Sequence, residues 1–262
     1  MKIKIYQILN ILGLIGVLVV NFLANALPIA GLNTGEVSAN NPSLFAPAGI
    51  TFSIWGVIYI LLIIFAGYQS RGLFSSKRTA HEDLISRIGI WFFISCLANM
   101  AWIFAWHHQV LWLSMLLMLV ILFSLITIYL RLNIGRRIVG KNENNMGHRP
   151  FSIYLAWITV ATIANAAALL GEYGWDGFGI PAPVWTSAMI AVASLVGLMA
   201  LFIRKDIFFA LVLVWAFAGI IYKRGMAGED FYLSIVVFAS AGIVVLVATI
   251  IFQLVKKYAR KE

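Results

Sequence analysis

The chain has 262 residues, of which 62% are hydrophobic and 11% charged, with a mean hydropathy of +0.95 and a formal net charge of +9. Soluble domains carry roughly 25% charged residues, so a water-soluble globular protein is excluded and lipid must be part of the solvent. A backbone in hydrocarbon has to satisfy its own hydrogen bonds, and apolar runs longer than about 18 residues without strand-like alternation select helices over a barrel.

The first apolar run, residues 5–27, follows Lys2 and Lys4 and is interrupted by Asn10, Asn21 and Asn25. It exceeds the roughly 7–15 residues of a signal-peptide core, and Ala24-Asn25-Ala26 only loosely imitates a cleavage site, so it reads as a retained first span. A first loop, residues 28–48, carries Asn33, Asn40 and Asn41. The second span is expected at 49–69, the third at 88–106, the fourth at 110–130 and the fifth at 150–170. Three more follow at 184–203, 207–222 and 232–254. Only Arg204-Lys205-Asp206 separates the sixth and seventh, which predicts a tight helical hairpin. The expected fold class is therefore an all-α integral membrane protein of eight spans.

Basic residues test this arrangement independently. With eight spans, 17 of the 19 Lys and Arg fall on the side that holds both termini, and only Lys223 and Arg224 fall on the other. Acidic residues divide five and five. Because Lys and Arg are retained on the cytoplasmic side, both termini are predicted to be cytoplasmic, in a bacterial cytoplasmic membrane. Topology and headgroup contact account for the positive charge, so the expected partner is the lipid bilayer and no nucleic acid is expected. No Asp, Glu, Lys or Arg falls inside a predicted span, which argues against an ion pump, a proton relay or a retinal protein. The single Cys96 lies within an apolar run and reads as a small buried hydrophobe, with no internal disulfide.

The polar content of the spans is amide, hydroxyl and indole. Trp175 and Trp185 fall where interfacial aromatics belong, and Trp215 in the seventh span reads as lipid-facing. At a rise of about 1.5 Å per residue, Trp55 and Asn99 lie ~12 Å and Asn165 ~10 Å below the same surface. Trp157, Ala161 and Asn165 share one helix face at i, i+4, i+8. Two readings stay open: interhelical hydrogen bonding, common for intramembrane Asn, or the wall of a ligand pocket. If Asn99 orients a ligand, Asn99→Ala weakens binding; if it joins helices, the change lowers stability instead. His107 and His108, at the pocket-side end of the third span, are weak candidates for a metal contact, since imidazole ligates haem iron. Nothing else suggests a metal cage, a nucleophile dyad or a carboxylate pair.

Leu97-Ala98-Asn99-Met100-Ala101-Trp102 resembles the third-helix L-x-N-x-A-W motif of the translocator protein family, the tryptophan-rich sensory proteins (TspO/MBR). Tyr154-Leu155-Ala156-Trp157, with Ala161-Thr162 and Asn165, is similar to the fifth-helix motif, and Pro47, Trp55 and Tyr59 are similar to the P-x7-W-x3-Y segment entering the second helix. The three occur in order within about residues 1–172. The sequence departs from the family pattern at Ala46, Gly49, Ser53 and Ile153, and no sterol-type motif follows the fifth span. The resemblance implies a five-helix core over 1–173, with 174–262 as an extension of three transmembrane helices. It implies a tryptophan-lined pocket closed by the first loop, built on Trp55, Tyr59, Asn99, Trp102, Trp157, Ala161 and Asn165. It also implies a porphyrin, haem or other flat hydrophobic ligand rather than a required cofactor, and homodimers. The function so implied is a receptor, scavenger or carrier. Two alternatives are an enzyme that degrades porphyrin through Trp55 and Trp157, and a transport or structural subunit of a membrane complex.

Overall fold

A computed structural model of the chain describes residues 2–27, 29–32, 34–41, 43–71, 73, 80–226 and 232–259. Of the residues named or counted in the sequence, Pro28, Asn33, Lys77, Arg78, Glu229, Asp230, Arg260, Lys261 and Glu262 lie outside the described residues, as do the side chains of Asn25 and Lys257. The elements are α1 (Lys2–Ala26), α2 (Thr34–Asn40), α3 (Ile54–Ser70), α4 (Ala80–Ile88), α5 (Trp91–His107), α6 (Leu111–Leu132), α7 (Lys141–Glu143), α8 (Arg149–Glu172), α9 (Ala182–Arg204), α10 (Ile207–Ile221) and α11 (Leu233–Tyr258). Among the described residues there is no strand.

Among the described residues, seven helical segments are long and apolar enough to cross a membrane, and the eighth expected span is a bent pair. Glu82–Ile88 and Trp91–His107 meet at 52°, where Gly89 takes φ +58°, a left-handed conformation that costs glycine least. The expected third span is thus α5, preceded by an amphipathic turn of helix in a region read as loop. The first loop holds helical structure of its own: a 3-10 turn at Ile29–Gly31 and the helix α2 lie within residues 28–48. The expected hairpin is present, with Lys205 in a left-handed conformation (φ +56°) between α9 and α10. A π-helical turn, Tyr222–Met226, extends α10 beyond its expected end.

Large apolar side chains are both inside and outside. Phe65, Phe92 and Phe151 form an edge-to-face core with centroids 4.9–5.5 Å apart. Leu12, Phe22, Ile60, Phe123, Phe202 and Val244 are exposed around the outside, as hydrocarbon requires and water would penalise. α5 packs on α1 and α6, α6 on α8, and α8 on α10, which carries α9 and α11. A Cβ on Gly197 of α9 would stand 2.7 Å from Leu213 Cδ1 of α10 and 2.9 Å from Leu246 Cδ2 of α11, so that three-helix contact depends on a missing side chain. At the α4 end of the bundle, Gln7 donates to the Gln69 carbonyl (2.7 Å) and Asn10 to Gln69 Oε1 (3.1 Å), fastening α1 to α3.

Candidate functional site

At the α2 end, α3, α5 and α8 bring their aromatic residues together. Trp55 stacks on Tyr59 one turn later (5.5 Å, 23°) and meets Trp157 (6.3 Å) and Tyr154 (5.9 Å) edge-on. Phe52, in the 3-10 turn Gly49–Ser53 that leads into α3, meets Trp157 edge-on at 5.7 Å. On α5, Trp102 and Trp106 stack at 5.8 Å. Such edge and offset contacts are favourable beyond area burial and give the cluster a fixed shape.

Two spaces share this wall. A small cavity of about 40 Å³ lies among Trp157, Ala161, Asn165, Trp55, Trp102 and Trp106, with Ser38, Asn41 and Ser43 also lining it. A larger groove, about 670 Å³, runs from Tyr59, Trp55 and Trp102 past Gly49 to Leu18, Asn21 and Phe22 of α1 and Thr34 of α2. Phe52, Trp55 and Trp102 line both. Six of the seven ligand-binding residues expected from the sequence, Trp55, Tyr59, Trp102, Trp157, Ala161 and Asn165, therefore face these spaces.

Asn99 lines neither. It is fully buried, its Oδ1 accepts from Asn21 Nδ2 (2.9 Å), and its Nδ2 donates to Tyr154 Oη (3.4 Å), so its amide joins α1, α5 and α8. Asn165 differs. One end of its amide meets Ser114 Oγ of α6 at 3.2 Å, while Nδ2 is buried with no protein partner among the described residues. The Ser114 hydroxyl also donates to the Leu111 carbonyl (2.9 Å). It has one proton, and whichever amide end Ser114 holds, the other faces the cavity. The indole N–H groups of Trp102 and Trp157 and the hydroxyl of Tyr59 are likewise buried without a protein partner among the described residues.

His107 is buried with both ring nitrogens engaged: Nδ1 donates to the Ile29 carbonyl (3.2 Å) and Nε2 lies 3.1 Å from Thr34 Oγ1. A carbonyl can only accept, so the proton sits on Nδ1 and Nε2 accepts from the threonine. With Trp106 Nε1 donating to the Thr34 carbonyl (3.4 Å), this histidine ties the end of α5 to the segment above it. His108 is exposed. Among the described residues, no group of three or more His, Cys, Asp or Glu could hold a metal ion.

The sequence reading missed residues that line the site. Phe52 comes from the 3-10 turn Gly49–Ser53, Trp106 from the end of α5, and Ser38, Asn41 and Ser43 from the first loop. The interruption of the first span by Asn21 was the available signal for its bond to Asn99. Trp215, read as lipid-facing, is 41% exposed, yet its indole donates to the Thr51 carbonyl at 2.9 Å.

A family model described as TSPO-like protein matches residues 7–252, from α1 into α11. No curated protein and no solved structure matches the chain.

Proposed function

The chain belongs to the TSPO-like family, and we propose that it is a membrane-embedded binding protein for a flat hydrophobic ligand with hydrogen-bond acceptors at its edge, of the porphyrin or haem class. The observation that carries this reading is the set of polar groups on one aromatic wall without protein partners among the described residues: Tyr59 Oη, Trp102 Nε1, Trp157 Nε1 and Asn165 Nδ2. A buried donor without a partner costs about 1–3 kcal/mol, so Tyr59 and Trp102 on the groove, and Trp102, Trp157 and the free amide end of Asn165 on the cavity, favour an occupant that can hydrogen-bond them. The groove, about 670 Å³, is of the size that takes small-molecule ligands, which is roughly 300–1,000 Å³. The small cavity of about 40 Å³ does not hold a ring system and suits a substituent such as a carboxylate reaching past Trp55. The indole of Trp55, stacked on Tyr59, offers the flat face. Because both nitrogens of His107 hold the first loop, haem would be held by apolar and hydrogen-bond contacts rather than by that imidazole.

Titrating the purified protein with protoporphyrin IX, in darkness and under light, and following indole fluorescence tests the reading. Saturable quenching is expected, weakened by about 1–3 kcal/mol, or roughly 5–150-fold, in Asn165→Ala. The recovered porphyrin should be chemically unchanged. Consumption of porphyrin under light would move the assignment to the degrading enzyme, and non-saturable partitioning, equal in both proteins, would remove it.

A further inference from the structure

The segment 43–53 contributes Ser43, Ala46, Pro47 and Phe52 to the small cavity and Gly49 and Phe52 to the groove. On its other side it is gripped by α10 and the π turn that follows. Trp215 Nε1 donates to the Thr51 carbonyl (2.9 Å). One turn on, the Gly219 carbonyl accepts from Ala48 N (3.1 Å). A Cβ on Gly219 would overlap Thr51 Oγ1 and stand 2.9 Å from Thr51 Cγ2 and 3.0 Å from Pro47 Cβ, so the close approach requires glycine. Beyond it, Arg224 is 6% exposed, with Nη2 donating to the Ser43 carbonyl (2.8 Å) and Nε to the Leu44 carbonyl (3.3 Å).

These contacts form one line along the helix. Trp215 and Gly219 are four apart and share a face. The wide turn at Tyr222–Met226 takes in an extra residue, which brings Arg224 rather than Lys223 onto that face. The same contact gives a reason for one of the only two basic residues on their side of the protein. A positive charge there runs against the 17-to-2 bias, but as a guanidinium fork it holds two backbone carbonyls that no apolar side chain could hold.

We propose that α10 is a brace that positions the entrance segment 43–53, with Gly219, Trp215 and Arg224 as its positioning residues. The last three helices then govern how readily the aromatic pocket opens, although none of α9, α10 or α11 lines it. The proposal rests on the binding reading for its ligand readout only; its structural readout is independent of any ligand.

The test uses Ser43→Cys in the full-length protein as reporter, since Ser43 is buried and lines the small cavity, and reaction with a small thiol reagent reads opening of the segment. The protein without this substitution, whose Cys96 is buried, is the control. In the reporter background, Arg224→Gln and Gly219→Ala should each speed labelling by roughly tenfold or more, because reactivity follows the population of the opened segment. Both should also speed release of protoporphyrin IX. Adding Thr51→Ala to Gly219→Ala removes the overlapping atoms and should return labelling and release toward the parent values. A substitution that merely loosens the fold would not be rescued in this way. Should Gly219→Ala not fold, Arg224→Gln and Trp215→Phe carry the comparison. Labelling equal to the parent in folded Arg224→Gln and Gly219→Ala overturns the brace. Faster labelling in a protein that binds no porphyrin upholds the brace and removes the ligand reading.

Discussion

Two carboxamides that look alike in the sequence have different work. Asn99 and Asn165 both fall within apolar helices, at similar expected depth, and the family resemblance led to the same expectation for both, a place on the pocket wall. Asn99 has its oxygen and its nitrogen on Asn21 and Tyr154, whereas one end of Asn165 faces the cavity with no protein partner among the described residues. Replacing Asn99 by Ala removes both interhelical bonds and leaves the Asn21 amide short of its inter-helix partner. Intramembrane hydrogen bonds average about 0.6 kcal/mol and reach about 1.7, so Asn99→Ala should lower stability by roughly 1–2 kcal/mol while porphyrin affinity stays at the parent level. Thermal unfolding in detergent beside a porphyrin titration checks this. A weakened affinity with an unshifted melting temperature would assign Asn99 to the ligand instead.

At the scale of elements, the short connections are where the sequence underdetermines the outcome. Arg204-Lys205-Asp206 reads as a charged turn, and it is one. Asp206 is nevertheless buried, accepting from Tyr129 Oη of α6 (2.9 Å), from Ser152 Oγ of α8 (2.7 Å) and from Phe209 N at the start of α10 (3.3 Å). The carboxylate caps α10 and sets that helix against the other two, which is the registry on which the Trp215–Gly219–Arg224 line depends. Asp206→Ala removes an N-cap and two hydroxyl bonds, for a loss of roughly 2–4 kcal/mol. Unfolding measurements should show that loss, together with faster labelling of the Ser43→Cys reporter. Asp206→Ala as stable as the parent would reduce Asp206 to a turn residue.

For the whole molecule, the two groups of helices expected from the sequence, 1–173 and 174–262, meet where α10 packs on α8 and on the 3-10 turn leading into α3. The family match runs through both. The strong basic asymmetry predicts both termini in the cytoplasm and α2 on the opposite face. Cysteine in place of Asn40, an exposed residue at the end of α2, should react with an impermeant thiol reagent in intact cells. The buried Cys96 keeps the background low. Labelling only after lysis would reverse the orientation.

What the sequence determined by itself was the part governed by solvent and by backbone hydrogen bonding. Apolar length set the membrane-crossing helices, the three-residue connection at 204–206 set the hairpin, the spacing of Trp157, Ala161 and Asn165 put them on one face, and depth set Trp55 and Asn165 at one level, whereas Tyr59 and Trp102 were expected from the family resemblance. These are local or additive properties, legible one residue at a time. The bend at Gly89, the helix α2 inside the first loop and the π turn after α10 were not legible, because each is a small local deviation that only its neighbours make favourable. The assignment of Asn99 to helix joining and of Asn165 to the cavity was decided by which side chain stood within 3.5 Å, a matter of rotation and tilt that periodicity does not carry. The grip of α10 on residues 43–53 was least visible of all. It joins positions more than 160 residues apart through main-chain carbonyls and an absent side chain, and main-chain carbonyls are the same at every residue.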